Sequence, residues 1–565
     1  MLKIDKAIYN INKTICQNID LADFKTISRA LISQNLLAQS RNLVEHIAVK
    51  AYGKEKNEDL EADWESIPAA IEFIKHNNKY LFLRKFHGFL LQSNSHYTPD
   101  HEGAERLILK YYQFYVMIRN FMKNEYQMDI LYNLNKFPIN TDHAVEEYHN
   151  KIVERLEIQH AINAVSHYPR MYVHKVIPFT VNNQVYYEIV LTPAYDTISK
   201  FDRFVCYSKV MVPSHYSIKM DIYYESIKVG GKRMSINILT EYMVSIRPCE
   251  LNNFAKIFGR NIKIYSTSAE YIGIMIYLSS SGASLLDVVL APQNEYEVIK
   301  QKMFGKSRVN YFENVLDESR NLILAKKAGS NIVRYLLHTL NNKVIKKQLN
   351  INGCTKLSNL HLQWGCIPFD DMPFATSLIQ HNPMGNDLFE SISVNERDHE
   401  LVARYVLSNM SINSRLYTPV KELEGDNNDV FKLVEKFNST LYSGHSNRRI
   451  ERFGKNLYIR EAYYDTKKII ETLQEESTIG LQGYEDAISV WLEKNGNVDS
   501  EEKRKILSNM FLNSRVSLIY GAAGTGKTHL INHVAQFMDK HSKLFLANTN
   551  PALENLRRKI ESQNC

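Results

Sequence analysis

Cysteine is scarce and scattered in this chain. Only 6 of the 565 residues are cysteines, and no two of them form a C-x-x-C pair. This spacing argues against a zinc module and against a disulfide framework, and it is typical of proteins in a reducing compartment. The sequence also lacks internal repeats and low-complexity tracts. We therefore expect ordinary globular domains in the cytoplasm.

Long apolar runs are absent as well. The nearest approach to a membrane span covers residues 272–291, which contain Asp287 and a break of three serines and a glycine. Such a segment predicts two buried helices rather than one membrane helix. The first residues carry no apolar stretch of the kind found in signal peptides. The sequence therefore predicts a protein without a membrane partner.

The charge balance excludes little. A net charge of +7 is mild for this length, and 44% hydrophobic and 23% charged residues are ordinary for a globular protein. A mild positive charge permits nucleic-acid binding but does not require it. The length predicts several domains. Because helical and strand patterns alternate along the chain, we expect a multidomain α+β fold.

The first part of the chain, residues 1–135, has the apolar spacing of helices. Leu36, Leu43 and Ile47 lie on one stripe. Gly53 is placed to end that helix. Two further helical runs follow before residue 125. Together these runs predict a small antiparallel helical bundle.

The middle of the chain changes pattern. Residues 150–268 alternate apolar and polar side chains and are rich in β-branched residues, which predicts a β-rich domain. Asn182-Asn183 between two of these runs predicts a hairpin turn. The tyrosines and lysines here offer stacking and charge for single-stranded nucleic acid, and cross-strand packing is the alternative. The pattern is helical again at 269–350 and mixed at 351–478.

The most specific pattern lies in residues 479–565. A short apolar run at 516–520 predicts a buried strand. The glycine-rich segment after it matches G-x-x-x-x-G-K-[ST] at every required position. That segment consists of Gly521, Ala522, Ala523, Gly524, Thr525, Gly526, Lys527 and Thr528. It predicts the start of a P-loop, RecA-like α/β domain.

Each residue type in this segment has a physical role in binding a nucleotide phosphate. The glycines let the backbone turn tightly and bring its N–H groups against phosphate oxygens. Lys527 is placed to reach the β- and γ-phosphates of ATP, and the Thr528 hydroxyl to bind Mg²⁺. The helix that begins here points the positive end of its dipole at the same anion. We expect ATP and Mg²⁺ here, the alternative being a glycine-rich turn that binds nothing.

A second pattern follows the P-loop. Residues 543–548 predict another parallel strand, and the following residues predict a basic helix with Asn550 as its N-cap and Pro551 in its first turn. Here the sequence resembles superfamily 1 helicases, including the RecD-like branch. GAAGTGKT resembles their motif I, and ANTNPALENLRRKI resembles their motif Ia. The resemblance implies that Thr549, Asn550 and Pro551 contact a nucleic-acid backbone.

The residues after Lys527 are too few to form the complete motor that this resemblance implies. Only 565 − 527 = 38 residues follow Lys527. Superfamily 1 helicases also need an acidic Walker B strand that holds Mg²⁺ and a second RecA-like domain with an arginine finger. We expect the chain to be a fragment of a longer protein. The alternatives are a partner chain that completes the motor and nucleotide binding without efficient turnover.

Within the bundle, Arg41, Asn42 and His46 form a second pattern. Arg-x4-His with a polar residue after the arginine resembles the HEPN ribonucleases, helical-bundle domains that are usually dimeric and cut RNA without metal. The resemblance implies that His46 is a general acid or base and that Arg41 holds the scissile phosphate, assisted by Asn42. Positions 41 and 46 lie about 140° apart on a helix, at the two edges of its polar face. An active site would therefore need both edges to line one cleft, as a dimer can supply. The alternative is a structural helix with an exposed arginine and a partly buried histidine.

Together these patterns predict a cytoplasmic, ATP-binding, helicase-like protein that acts on DNA or RNA. An N-terminal RNA-cleaving domain would form a homodimer through the bundle. Fusions of this kind suggest bacterial defence against phage, a role that rests on the resemblance alone. The other hypothesis is an ATP-switched scaffold that neither unwinds nor cuts nucleic acid. Both hypotheses depend on Lys527.

Overall fold

The chain is a multidomain α+β protein, 57% helical and 15% strand, with several sheets. The computed structural model describes all residues except 1, 22–28, 76, 95–103, 138–142, 159–165, 168, 183, 197–202, 230, 306–308, 424–429, 496–497, 499, 521–525, 548–549 and 561–565. The chain divides into two compact units. The first comprises residues 1–446 and 452–457, and the second comprises residues 447–451 and 458–565.

The first unit begins with five helices around one core. They are α1 (Lys3–Leu21), α2 (Arg29–Lys56), α3 (Ser66–Lys75), α4 (Leu81–Asn94) and α5 (Ala104–Tyr126). α2 lies at the centre and packs against α1, α3, α4 and α5. Leu43 and Ile47 on α2 are completely buried, as are Phe86 on α4 and Tyr115 on α5. The helical spacing of the sequence therefore predicted this core correctly.

One boundary in this region was predicted wrongly. Gly53 was expected to end its helix, but α2 continues through it to Lys56. A Cβ atom at Gly53 would lie 2.7 Å from the carbonyl oxygen of Glu58, because the chain folds back onto the helix there. The glycine is needed for this close approach rather than for a helix end.

A sheet follows the bundle and carries one packed helix. Its elements are α6 (His143–Leu156), β1 (Ser166–His167), β2 (Met171–Val181), β3 (Gln184–Pro193), β4 (Phe204–Ser208), β5 (Ser217–Val229) and β6 (Lys232–Val244). α6 packs against β2, β4 and β5. The predicted turn between β2 and β3 is confirmed, since Val181 pairs with Gln184 and Asn182 has a φ of +49°.

The sheet closes into a small barrel. Its strands follow the order β5-β2-β3-β4-β6, and β6 pairs again with β5. All of these pairings are antiparallel except the one between β4 and β6, which is parallel at Tyr207 and Ile238. β1 extends the edge of β5 beside β2. Ile189, Ile218 and Ile222 are completely buried in its core.

Helices occupy the chain after the barrel. They are α7 (Pro248–Lys256), α8 (Ala269–Ser281), α9 (Leu285–Leu290), α10 (Gln293–Phe304), α11 (Tyr311–Leu324), α12 (Ser330–Thr339) and α13 (Asn342–Gln348). Asp196, which follows β3, fixes them to the barrel. Its carboxylate accepts hydrogen bonds from Arg247 at 2.6 Å, Asn342 at 2.9 Å and Lys346 at 3.0 Å.

The remainder of the first unit is mixed, as the sequence predicted. It contains β7 (Leu349–Cys354), β8 (Leu360–Leu362), α14 (Ile367–Asp371), α15 (Gly385–Ser391), α16 (Asp398–Ser411), β9 (Thr418–Pro419) and α17 (Val430–Thr440). The hairpin of β10 (Ile450–Phe453) and β11 (Asn456–Ile459) follows, and the boundary between the two units runs through it.

The second unit consists of helices around a smaller core. They are α18 (Arg460–Ser477), α19 (Tyr484–Lys494), α20 (Glu501–Asn509), α21 (Lys527–Phe537) and α22 (Asn550–Lys559). The core joins Tyr484 and Ile488 of α19 to Leu507 of α20 and Leu530 of α21. This core supports the helix that begins directly after the glycine-rich segment.

Candidate functional sites

The end of the glycine-rich segment forms a helix N-terminus. Residues 521–525 lie outside the described residues. Gly526 has a φ of +80° and is the N-cap of α21. Glycine adopts this backbone conformation without strain. Lys527 and Thr528 occupy the first turn of α21 and are partly buried. A helix N-terminus of this kind directs backbone N–H groups and the positive end of the helix dipole toward a bound anion.

A second lysine lies at the same helix end. A Cβ atom on Gly526 would be 2.9 Å from Nζ of Lys503, so this ammonium group lies against the backbone of Gly526. Lys503 is on α20, where Ser500 accepts a hydrogen bond from its backbone N–H at 3.2 Å. The sequence interpretation missed Lys503, because position alone did not separate it from the neighbouring Arg504 and Lys505.

The two strands predicted beside the P-loop are absent from the described residues. No strand is assigned at 516–520 or at 543–547, and residue 548 lies outside the described residues. Ile519 packs against the core of the second unit, while its neighbours Leu518 and Tyr520 are 69% and 87% exposed. A strand needs a hydrogen-bonded neighbour, and a parallel strand needs cover on both faces. Neither condition is met here.

The predicted nucleic-acid contacts lie beside α22. Thr549 falls outside the described residues, and only the backbone of Asn550 and Pro551 is described. The helix begins at Asn550, one residue earlier than expected. Three basic residues that end α22 are exposed: Arg557, Arg558 and Lys559. Cations at a helix C-terminus are also favoured by the helix dipole.

In the bundle, the structure brings Arg41 to a pair of residues that the sequence did not single out. Nε of Arg41 donates to Oε1 of Glu45, one turn along α2, at 2.8 Å. His87 of α4 lies on the other side, with Nε2 at 3.6 Å from the same oxygen. Glu45 and His87 are each 8% exposed. Burial raises the pKa of Glu45, but the nearby imidazole of His87 and the guanidinium of Arg41 outweigh it and leave that pKa lowered.

His46 has a different environment. Its Nδ1 lies 2.7 Å from the backbone oxygen of Asn42, one turn earlier on α2. Asn42 is exposed, and His46 and Arg41 are partly exposed. The three expected residues therefore lie on a side of α2 that reaches solvent, opposite the buried residues Leu43 and Ile47. The structure shows Arg41 engaged with Glu45 and His46 engaged with its own helix, and records no contact joining Arg41 to His46 among the described residues.

A comparison with protein-family models, with curated proteins and with solved structures found no match. Within the described part of the chain, no helix has both the length and the apolar character that crossing a bilayer requires.

Proposed function

We propose that this protein binds ATP with Mg²⁺ in the glycine-rich segment before α21 and acts on nucleic acid in the manner of the superfamily 1 helicases. One observation carries the proposal: the complete P-loop pattern runs directly into a helix whose N-cap is a positive-φ glycine. Lys527 would bind the phosphates, and the Thr528 hydroxyl would hold the Mg²⁺ that neutralises their charge. Lys503 adds a second cation beside Gly526.

The barrel supports nucleic acid as the partner. Its five main strands are ordered so that the first lies beside the fourth and the third lies parallel to the fifth. That order is the order of OB-fold barrels, many of which bind oligonucleotides. On β5 and β6, Tyr224 is 53% exposed and Arg233 is exposed, so a ring and a charge face solvent. Tyr186, Tyr187 and Tyr207 are buried and serve packing.

The test of nucleotide binding uses Lys527→Ala in the full chain. Removing a charge-assisted hydrogen bond costs roughly 1.5–3 kcal/mol, so the variant should bind ATP·Mg²⁺ roughly 10- to 100-fold more weakly in calorimetry. Lys540→Ala is the matched control, because it removes an exposed lysine of the same unit. Equal ATP affinity of Lys527→Ala and the unchanged protein would refute the assignment.

Turnover separates the two hypotheses about the motor. A helicase-type protein should hydrolyse ATP faster when single-stranded DNA or RNA is added. An ATP-switched scaffold should bind ATP with the same dependence on Lys527 but show no such stimulation. Binding and turnover are therefore measured on the same preparations, with and without an oligonucleotide.

A second proposal concerns the bundle, which we infer cleaves RNA with Arg41, Asn42 and His46. It is favoured by the full or partial exposure of these three residues on the central helix of the bundle. His46 would move a proton of the RNA 2′-OH or of the leaving oxygen, and Arg41 would hold the phosphate. DNA, which has no 2′-OH, should be left intact.

The RNA-cleavage test compares His46→Ala with Lys527→Ala. Because the imidazole of His46 is hydrogen-bonded within its own helix, its removal should leave the bundle folded and ATP binding unchanged. RNA cleavage should be lost in His46→Ala and kept in Lys527→Ala when no ATP is added. RNA cleavage that persists in His46→Ala would rule out this assignment.

A further inference from the structure

Three residues that are distant in the chain meet in the first unit. His215 lies in the loop before β5, His338 lies near the end of α12, and Glu390 lies on α15. One ring nitrogen of each imidazole and one carboxylate oxygen of Glu390 lie within 4.8 Å of one another. The two imidazole side chains are 7% and 5% exposed, whereas that of Glu390 is 38% exposed. The cluster is therefore built inside the fold with one side open to solvent.

The distances fit a shared ion better than hydrogen bonds. Oε2 of Glu390 is 3.5 Å from Nε2 of His338 and 3.9 Å from Nε2 of His215. A good N–H···O bond would bring the atoms to about 2.9–3.0 Å. Ligand atoms that each lie about 2.0–2.1 Å from a tetrahedral zinc ion are separated from one another by about 3.3–3.4 Å. A small adjustment of the side chains would accommodate such an ion.

The neighbours of the three residues are fixed by buried hydrogen bonds. Tyr216, next to His215, donates to the carbonyl oxygen of Leu337, next to His338, at 2.7 Å. The same hydroxyl accepts from the backbone N–H of Leu285 at 2.7 Å. Arg334 of α12 donates to the carbonyl oxygen of Ser391, next to Glu390, at 2.7 Å. The backbone thus holds the candidate ligands in place, as a metal site requires.

The charges around the cluster are compatible with a cation. Arg84 of α4 and Asp287 of α9 form an ion pair beside the imidazoles, and Lys85 also acts on them electrostatically. Asp287 accepts two further hydrogen bonds, from the backbone N–H and the hydroxyl of Ser284. Arg84 is thereby neutralised by its own partner, whereas Lys85 opposes a bound cation and the carboxylate of Glu390 favours it.

We propose that His215, His338 and Glu390 bind one divalent first-row transition-metal ion, with Zn²⁺ as the best-matched ion. Two imidazoles and a carboxylate form a recurrent zinc ligand set, and a fourth position would remain for water on the side of Glu390. Because the ligands come from the barrel loop, α12 and α15, the ion would join the barrel to the helices that follow it. The site is independent of the nucleotide and of Arg41 and His46.

The test uses the full chain, freed of any polyhistidine tag, stripped with a chelator and kept without nucleotide. Zn²⁺ is titrated against a chromophoric competitor, and Co²⁺ is used to record the visible absorption of a nitrogen- and oxygen-ligated site. The unchanged protein should bind one equivalent. His338→Ala and Glu390→Ala should each weaken Zn²⁺ binding by about tenfold or more, and Zn²⁺ should raise the melting temperature of the unchanged protein only.

His361→Ala is the matched control. Its partly buried imidazole lies outside the site, where Nδ1 is hydrogen-bonded to the carbonyl oxygen of Ile351, so Zn²⁺ binding should be retained. If His338→Ala fails to fold, the partly exposed Glu390→Ala decides the question. An unchanged protein that takes up no Zn²⁺, or a Glu390→Ala variant with unchanged affinity, would overturn the proposal.

Discussion

Glu250 provides the sharpest test of the packing between the barrel and the helices. This glutamate lies in the first turn of α7 and is 1% exposed. Its carboxylate accepts hydrogen bonds from the Tyr172 hydroxyl of β2 and from the backbone N–H of Arg247, the latter at 2.9 Å. Burial outweighs these hydrogen bonds and raises the pKa of Glu250 from 4.5 to about 6. Between pH 4.5 and about 6 the side chain is therefore protonated to a greater extent in the folded chain than in the unfolded chain.

The sign and size of the pH effect follow from that pKa. Below pH 4.5 the carboxyl is protonated in the folded and unfolded chain alike. The contribution of its raised pKa to the free energy of unfolding is then fully present. As the pH rises, the unfolded chain ionises first, and the contribution is lost by the time the pH exceeds about 6. At 1.36 kcal/mol per pKa unit, the difference between 4.5 and about 6 amounts to about 2 kcal/mol.

The assay compares Glu250→Gln with the unchanged protein between pH 4 and pH 7. Glutamine keeps the shape and cannot ionise, so the variant should gain about 2 kcal/mol relative to the unchanged protein as the pH rises. For a unit of roughly 450 residues, this corresponds to a shift of about 2 °C in melting temperature. Glu241→Gln, an exposed position on β6, gives the baseline. A Glu250→Gln difference that stays constant across this pH range would refute the reasoning.

Two further predictions concern a cation and a helix contact. Lys503→Ala should weaken ATP binding by about 5- to 10-fold in calorimetry, because a charge beside Gly526 is lost, and Lys505→Ala on the exposed side of the same helix should not. Gly273→Ala should lower the unfolding free energy by about 1–3 kcal/mol in urea titrations, since its Cβ atom would lie 1.9 Å from a carbonyl oxygen of α10. Gly88→Ala, with open space around it, should instead raise that free energy by up to about 1 kcal/mol.

The spacing of apolar residues and the turn residues in the sequence correctly predicted α2 and the hairpin of β2 and β3. The stripe of Leu43 and Ile47 gives a helix buried on several sides, and the Asn182 turn sets the register of β2 and β3. These signals are local: helical spacing repeats within one element, and a two-residue turn fixes its two strands. Gly53 was misread because its role is a close contact with Glu58, which helix-ending statistics do not contain.

The predicted strands beside the P-loop failed for a different reason. A run such as 516–520 has the composition of a buried parallel strand, but composition states only what the side chains prefer. Whether the strand forms depends on neighbours that supply hydrogen bonds and on layers that cover both faces. Among the described residues these neighbours are absent, so Leu518 and Tyr520 are exposed while Ile519 packs on one side.

The interacting side chains were the least predictable part. Lys503, His87 and the cluster of His215, His338 and Glu390 are defined by contacts between elements that are distant in the sequence. No spacing rule connects them, because their side chains meet through the packing of separate elements rather than along one helix or loop. Sequence motifs can find a site only where one short segment supplies most of it, as the P-loop does.

The ion pair of Arg41 with Glu45 bears directly on whether this bundle can hold a phosphate. The carboxylate of Glu45 occupies only part of the arginine, because only Nε donates to it and a guanidinium carries four further N–H donors on its two terminal nitrogens. Glu45 is buried while the Arg41 side chain is 43% exposed. The Nε side of the guanidinium is therefore held by Glu45, and the RNA-cleavage proposal places the phosphate on the two terminal nitrogens, which suit a bidentate contact. In this arrangement Glu45 and His87 position Arg41, and the RNA-cleavage proposal requires no break in the ion pair.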